Sequence, residues 1–256
     1  LQITTPAASF EEYTLTLTDG EQSVTLQHLL IGEVWLCAGQ SNMVMPLNGF
    51  DYCPISDSNN VIADAPNHPG IRMVTIKPTV KLSPQEYAEG SWQQPTTENA
   101  PKFSAAAYHY ALTLQRTLQI PIGVITCAWG GSRVEGWLPK EILQTYKDED
   151  LTLIGSDKTP VYLQSMLMYN GILYPCHKYT IKGFIWYQGE SNVRSSRTYA
   201  ERLATMVKHW RSIWKQGDLP FYYVETVPFA CEYKEDGYIG AVSYTHLRAH
   251  ETLSDL

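Results

Sequence analysis

The chain has no run of the roughly 20 apolar residues that a membrane-crossing helix requires. It also has no basic stretch leading into an apolar one near its start, so no membrane span or leader is legible and no membrane partner is expected. Positive charge is not in excess. Lys and Arg number 19 against 26 Asp and Glu, a net charge of −7, and nucleic acid, which wants a basic face, is not an expected partner. There is no C-x-x-C. The five cysteines (Cys37, Cys53, Cys127, Cys176, Cys231) are odd in number and widely spaced, which fails the spacing of zinc and thioredoxin-like sites; no metal is expected. Gly (17) and Pro (15) show no period, which excludes collagen-like material. The 18% of charged residues is too low for a disordered chain.

What is present points to a globular fold. At 256 residues the chain allows one large domain or one and a half. Tyr13-Thr14-Leu15-Thr16-Leu17-Thr18 alternates, Asp19-Gly20 offers a turn, and Val24-Thr25-Leu26 follows; this predicts an antiparallel hairpin. From Ile31 the pattern changes to short continuous apolar runs: 34–38, 122–128, 183–187 and 221–224. Such runs suit strands covered on both faces of a mostly parallel sheet, and Cys37 and Cys127 within them are expected as buried free thiols. Between the runs, 105–118 and 198–215 carry helical stripes, the first with Ser104 as N-cap. Strand and helix alternate, which predicts an α/β fold.

In such sheets, sites lie beyond the carboxyl ends of the strands. Three runs are followed there by Gly39-Gln40-Ser41-Asn42-Met43, by Trp129-Gly130-Gly131-Ser132-Arg133-Val134-Glu135-Gly136-Trp137 and by Gln188-Gly189-Glu190-Ser191-Asn192. A hydroxyl, a Gly pair and amides on one edge suit acyl transfer: Ser41 supplies a nucleophile, and backbone N–H groups and side-chain amides hold a tetrahedral oxyanion. The G-x-S-x-G elbow is absent, since Met43 stands at its second Gly.

Together these three blocks resemble the sialate O-acetylesterase family, a carbohydrate-esterase branch of the SGNH hydrolases, over about 30–228. The resemblance implies a flavodoxin-like three-layer α/β domain at 31–241, incomplete at its C-terminus, preceded at 1–30 by the remnant hairpin of an N-terminal β-domain. It implies removal of O-acetyl groups from a carbohydrate, sialic acid or a polysaccharide such as xylan, with no cofactor, and a secreted or periplasmic location. Carried over, Ser41 resembles the nucleophile and an oxyanion donor, Gly131 (or Gly130) the second donor, and Gln188 or Asn192 the side-chain donor. Gln40, Asn42 and Glu190 brace the loops, and Arg133 braces them by pairing with Glu190 or Glu135.

The family also uses a late Asp-x-x-His or Asp-x-His element, whose His takes the serine proton. None of the seven His has an Asp two or three residues before it. Residues 242–256 resemble the in-frame translation of a sequencing adapter, so they are expected to be a non-native tail, with His246 and His250 accidental; the alternative is that one of them is a relocated base. A serine without a base is a weak nucleophile, so this chain is expected to be inactive. Two other readings compete: a non-catalytic carbohydrate-binding protein on the same scaffold, and a flavodoxin-like nucleotide-binding domain. The latter is weakened by the lack of G-x-G-x-x-G or a Walker loop. Trp129 and Trp137 are possible sugar-stacking residues, the Trp210 and Trp214 stripe reads as core, and His109 as a core or boundary residue.

Overall fold

A computed structural model describes residues 3–226. The hairpin forms as β1 (Ser9–Thr18) and β2 (Ser23–Ile31), paired antiparallel. Its turn is closed by Asp19, whose Oδ1 accepts from the Glu21 and Gln22 N–H groups at 3.1 and 2.8 Å. A two-stranded ribbon is marginal alone. This one leans on the body through Glu12, which faces Arg72 at 3.7 Å.

The body is a five-stranded sheet in the order β4-β5-β3-β6-β7, every pairing parallel. Its strands are β3 (Glu33–Gly39), β4 (Ile71–Thr75), β5 (Ile122–Ala128), β6 (Gly183–Tyr187) and β7 (Phe221–Tyr223). The four apolar runs all became strands of this sheet. β4 was not anticipated: it is a short edge strand whose Arg72 interrupts the apolar signal. The helices are α1 (Ser41–Val44), α2 (Ser58–Asp64), α3 (Ala105–Leu118), α4 (Lys140–Leu143) and α5 (Ser196–Trp214). Ser104 caps α3 by accepting from the Ala107 N–H at 3.3 Å.

Because strand side chains alternate, each central strand feeds two cores. Trp35, Cys37, Val124 and Ala128 pack with Tyr108, Ala111 and Leu112 of α3. Leu36, Ala38, Cys127, Phe184 and Trp186 pack on the other face with Leu203, Met206 and Trp210 of α5. The result is a three-layer α/β/α sandwich. Trp210 and Trp214 are core, and Cys37 and Cys127 are buried free thiols. His109 departs from expectation: it lies on the solvent face of α3. Cys231 and the tail at 242–256 lie outside the described residues.

Candidate active site

Register brings the three loops together. Gly39, the last residue of β3, stands opposite Ala128 of β5 on one side and Tyr187 of β6 on the other. The three blocks therefore leave the sheet at one level. They are pinned at once: the Trp129 N–H donates to the Gly39 carbonyl at 3.0 Å, and the Gln40 N–H to the Tyr187 carbonyl at 3.1 Å. From β3 the chain builds β4 and β5 on one side and then crosses to β6 and β7 on the other, the switch in winding that opens a crevice at the carboxyl edge.

Ser41 opens α1, is half-buried, and its hydroxyl has no hydrogen-bond partner among the described residues. Gly130 is its neighbour, since a Cβ placed there would lie 3.9 Å from the Ser41 Cβ. Gly131 takes φ +74° and has no room for a Cβ, which would fall 2.8 Å from the Tyr162 ring. A glycine is needed there on both counts.

The first and third blocks are zipped together. Gln40 Oε1 accepts from the N–H groups of Gly189 (3.4 Å) and Ser191 (3.2 Å), and Asn42 Nδ2 donates to Glu190 Oε1 at 2.6 Å. The second and third blocks are joined by Gln188 and Asn192. Gln188 Nε2 donates to the Ser132 carbonyl (3.0 Å) and to Asn192 Oδ1 (2.8 Å), while its Oε1 accepts from the Tyr199 hydroxyl (2.8 Å). Asn192 Oδ1 also accepts from the Val134 N–H at 2.9 Å, and its Nδ2 donates to both oxygens of Glu135 and to Ser195 Oγ. Both residues are fully buried. A primary amide has two hydrogens, and those of Gln188 and Asn192 point at internal acceptors. In this arrangement neither presents a free N–H toward Ser41, so the side-chain donor expected of one of them gives way to a bracing position.

Arg133 does not reach Glu190 as one alternative had it. It pairs with Glu149 at 2.7 Å and with Glu135 at 3.6 Å. Sequence reading missed the centre of this cluster, Arg202 of α5, which is 2% exposed and contacts Glu135, Glu149 and Asp148. Only contacts across 53–67 residues reveal it. Trp137 is buried and donates to Ser132 Oγ at 3.0 Å, so it offers no face to a sugar; Trp129 is half-buried.

A cavity of about 160 Å³ reaches Gly130 and Val44 but is not lined by Ser41 itself; Thr75, Lys102, Thr126 and Trp129 also border it. Val44 is one helical turn from Ser41 and shares its face. Thr126 is 3% exposed and its hydroxyl has no protein partner; it was missed because it reads as an ordinary strand residue. Among the described residues no cluster of His, Cys, Asp and Glu could hold a metal, and no helix is long and apolar enough to cross a membrane.

Glu190 carries an electrostatic cost. Burial pushes its carboxyl above the usual range, against the hydrogen bond from Asn42, and Oε2 is buried without a partner. A carboxyl raised in the folded state is harder to ionise there than in the unfolded chain. Stability is therefore full below the ordinary carboxylate pKa and falls as pH rises through the raised value. Glu190→Gln keeps an acceptor for Asn42 and removes the charge. It is expected to raise the urea midpoint at pH 7 and leave it nearly unchanged at pH 4; an equal shift at both pH values contradicts this account.

A model of a carbohydrate esterase family described as sialic acid-specific acetylesterase matches residues 31–250. The chain belongs to this family. Within the carbohydrate esterases, human sialate O-acetylesterase is 27% identical over 204 residues, covering 76% of this chain and 38% of the human protein. The mouse sialate O-acetylesterase is 24% identical over 279 residues, covering 92% and 50%. The solved structure of a carbohydrate acetylesterase from Xanthomonas citri superposes with a TM-score of 0.82 at 26% identity, over 98% of this chain and 55% of that one. An Arabidopsis thaliana protein at 19% identity, TM-score 0.53, covering 84% and 79%, shares the fold. The chain thus spans about half or less of the curated relatives cited here.

Proposed function

We propose that this chain is the core of a serine esterase that removes O-acetyl groups from carbohydrates. One observation carries the reading: the unpartnered Ser41 hydroxyl sits beside Gly130 where three loops leave one sheet edge. Ser41 Oγ attacks the ester carbonyl, the sugar hydroxyl leaves, and water releases acetate from the acyl-enzyme. The N–H groups of Ser41 and Gly131 (or Gly130) hold the oxyanion. Gln188, Asn192, Gln40, Asn42 and Glu190 fix the loops so that these donors need not reorganise during reaction. The cavity that reaches Gly130 and Val44 is read as room for part of the substrate beyond the reacting ester. The hairpin is read as the end of an N-terminal β-domain, 31–241 as the hydrolase domain, and the location as secreted or periplasmic.

Among the described residues no His or carboxylate is hydrogen-bonded to the Ser41 hydroxyl; the third block's carboxyl, Glu190, is turned to Asn42. The Asp–His pair that does exist, Asp64 with His68 at 2.9 Å, precedes β4 and lies at the amino end of the sheet, opposite Ser41. We therefore read the chain as it stands as inactive, with a non-catalytic carbohydrate-binding role as the second reading. The test compares acetate release from O-acetylated sialic acid, acetylated xylan and an aryl acetate. The chain alone should remain near background. A longer chain that includes an Asp-x-x-His element should turn over, and Ser41→Ala in it should lower kcat by about 10⁴–10⁶. Turnover indifferent to Ser41→Ala overturns the reading; sugar binding without turnover in the longer chain supports the alternative.

A further inference from the structure

Cys127 and Cys176 are 49 residues apart in sequence, yet their sulfurs approach to 3.9 Å. Both thiols also face the Ile172 carbonyl, at 3.8 and 3.5 Å. Cys127 is fully enclosed at the end of β5. Cys176 closes a one-turn 3₁₀ segment directly after a π-helical turn, Tyr169–Leu173, and π turns recur where a helix is bent to serve a site. Cys176, 8% exposed, borders a cavity of about 330 Å³ that it shares with Val74, Trp92 and Lys178, so of the two cysteines it is the one nearer solvent. Nothing in the esterase chemistry above uses either thiol.

We propose that Cys127 and Cys176 form a disulfide under oxidising conditions, locking the end of β5 to the 169–176 segment. With glutathione disulfide as oxidant, the Cys176 thiolate attacks one glutathione sulfur and expels a glutathione thiolate. The Cys127 thiolate then attacks the Cys176 sulfur and expels the second. The two protein thiols lose two protons and two electrons, and one glutathione disulfide becomes two glutathione thiols. Burial drives the Cys127 thiol well above its ordinary pKa, so attack by a thiolate is slow in the folded chain and fastest during folding. The bond closes a 49-residue separation and ends two residues before Trp129, so it braces the strand that delivers the Gly130-Gly131 loop.

The experiment uses the full chain in two arms: reduced folded protein held in glutathione disulfide, and reduced unfolded protein refolded in a glutathione redox buffer. Peptide mapping without reduction should find a Cys127–Cys176 link, at least in the refolding arm. The oxidised form should melt about 5–10 °C above the reduced form, a gap that Cys127→Ser abolishes. Cys37, equally buried and with its thiol pushed up to about 12 by burial, should stay free. Recovery of Cys127 and Cys176 as thiols in both arms, or their linkage to other partners, overturns the proposal. The readout involves no ester hydrolysis, so its failure leaves the esterase reading standing.

Discussion

Replacing Arg202 with methionine is expected to destabilise the chain by about 3–5 kcal/mol, the usual cost of removing one partner from a buried ion pair. The guanidinium is 2% exposed and contacts Glu135, which is wholly buried, Glu149, which is 5% exposed, and Asp148 at 2.7 Å. It also lies 4.8 Å over the Tyr146 ring. Methionine fills the same space, so little of the loss comes from a void. The loss comes from Glu135, left with Asn192 Nδ2 and with Arg133 at 3.6 Å as its neighbouring donors. Glu149 keeps Arg133 at 2.7 Å. Pairing Arg202→Met with Glu135→Gln removes the stranded charge and should recover more than half of the loss. Urea unfolding of the two variants against the original chain checks this. A single variant within about 1 kcal/mol of the original chain means that the charges are not enclosed as described. The same experiment probes the candidate site, because Glu135 holds Asn192, and Asn192 holds the Val134 backbone of the second block.

That cluster also marks the limit of what the sequence discloses. Continuous apolar runs identify β3, β5 and β6 because a strand covered on both faces leaves no alternation to confuse with another period; β7, an edge strand with Tyr222 exposed, is legible only as an aromatic run. Ser104 and the stripe after it identify α3. Three loops at one edge follow from parallel strands alone. What escapes is whatever depends on distance in sequence. Arg202 shares the buried stripe of α5 with Leu203, Met206 and Trp210, and nothing local shows that the acids of 135–149 will be folded onto it. Gln188 and Asn192 look like donors for a ligand, because nothing local reveals that each finds its partners inside. β4 escapes for another reason: it is an edge strand of five residues with a charged side chain at its second position, and such a segment has neither a long apolar run nor a regular alternation.

Gly39→Ala is expected to cost a further class of energy, about 3–5 kcal/mol, through backbone strain combined with a lost buried hydrogen bond. A Cβ on Gly39, whose φ is +149°, would fall 2.1 Å from the Tyr187 carbonyl oxygen. That oxygen accepts the Gln40 N–H at 3.1 Å, and the Gly39 carbonyl accepts the Trp129 N–H at 3.0 Å. The added methyl must push β6 away from β3 at the point where both bonds originate. Neither strand can yield alone, because Gly39 is paired on both sides. The same shift moves Ser41, two residues on, away from Gly130. In a chain able to turn over, a displacement of about 1 Å at the nucleophile lowers kcat by about 10². Gly130→Ala is the matched comparison. Its Cβ would meet the Ser41 Cβ at 3.9 Å, ordinary contact, so unfolding should change by less than about 1 kcal/mol. If urea unfolding found the two substitutions equally mild, the close approach of Gly39 to the Tyr187 carbonyl that aims Ser41 would not exist, and the esterase reading would lose the geometry it rests on.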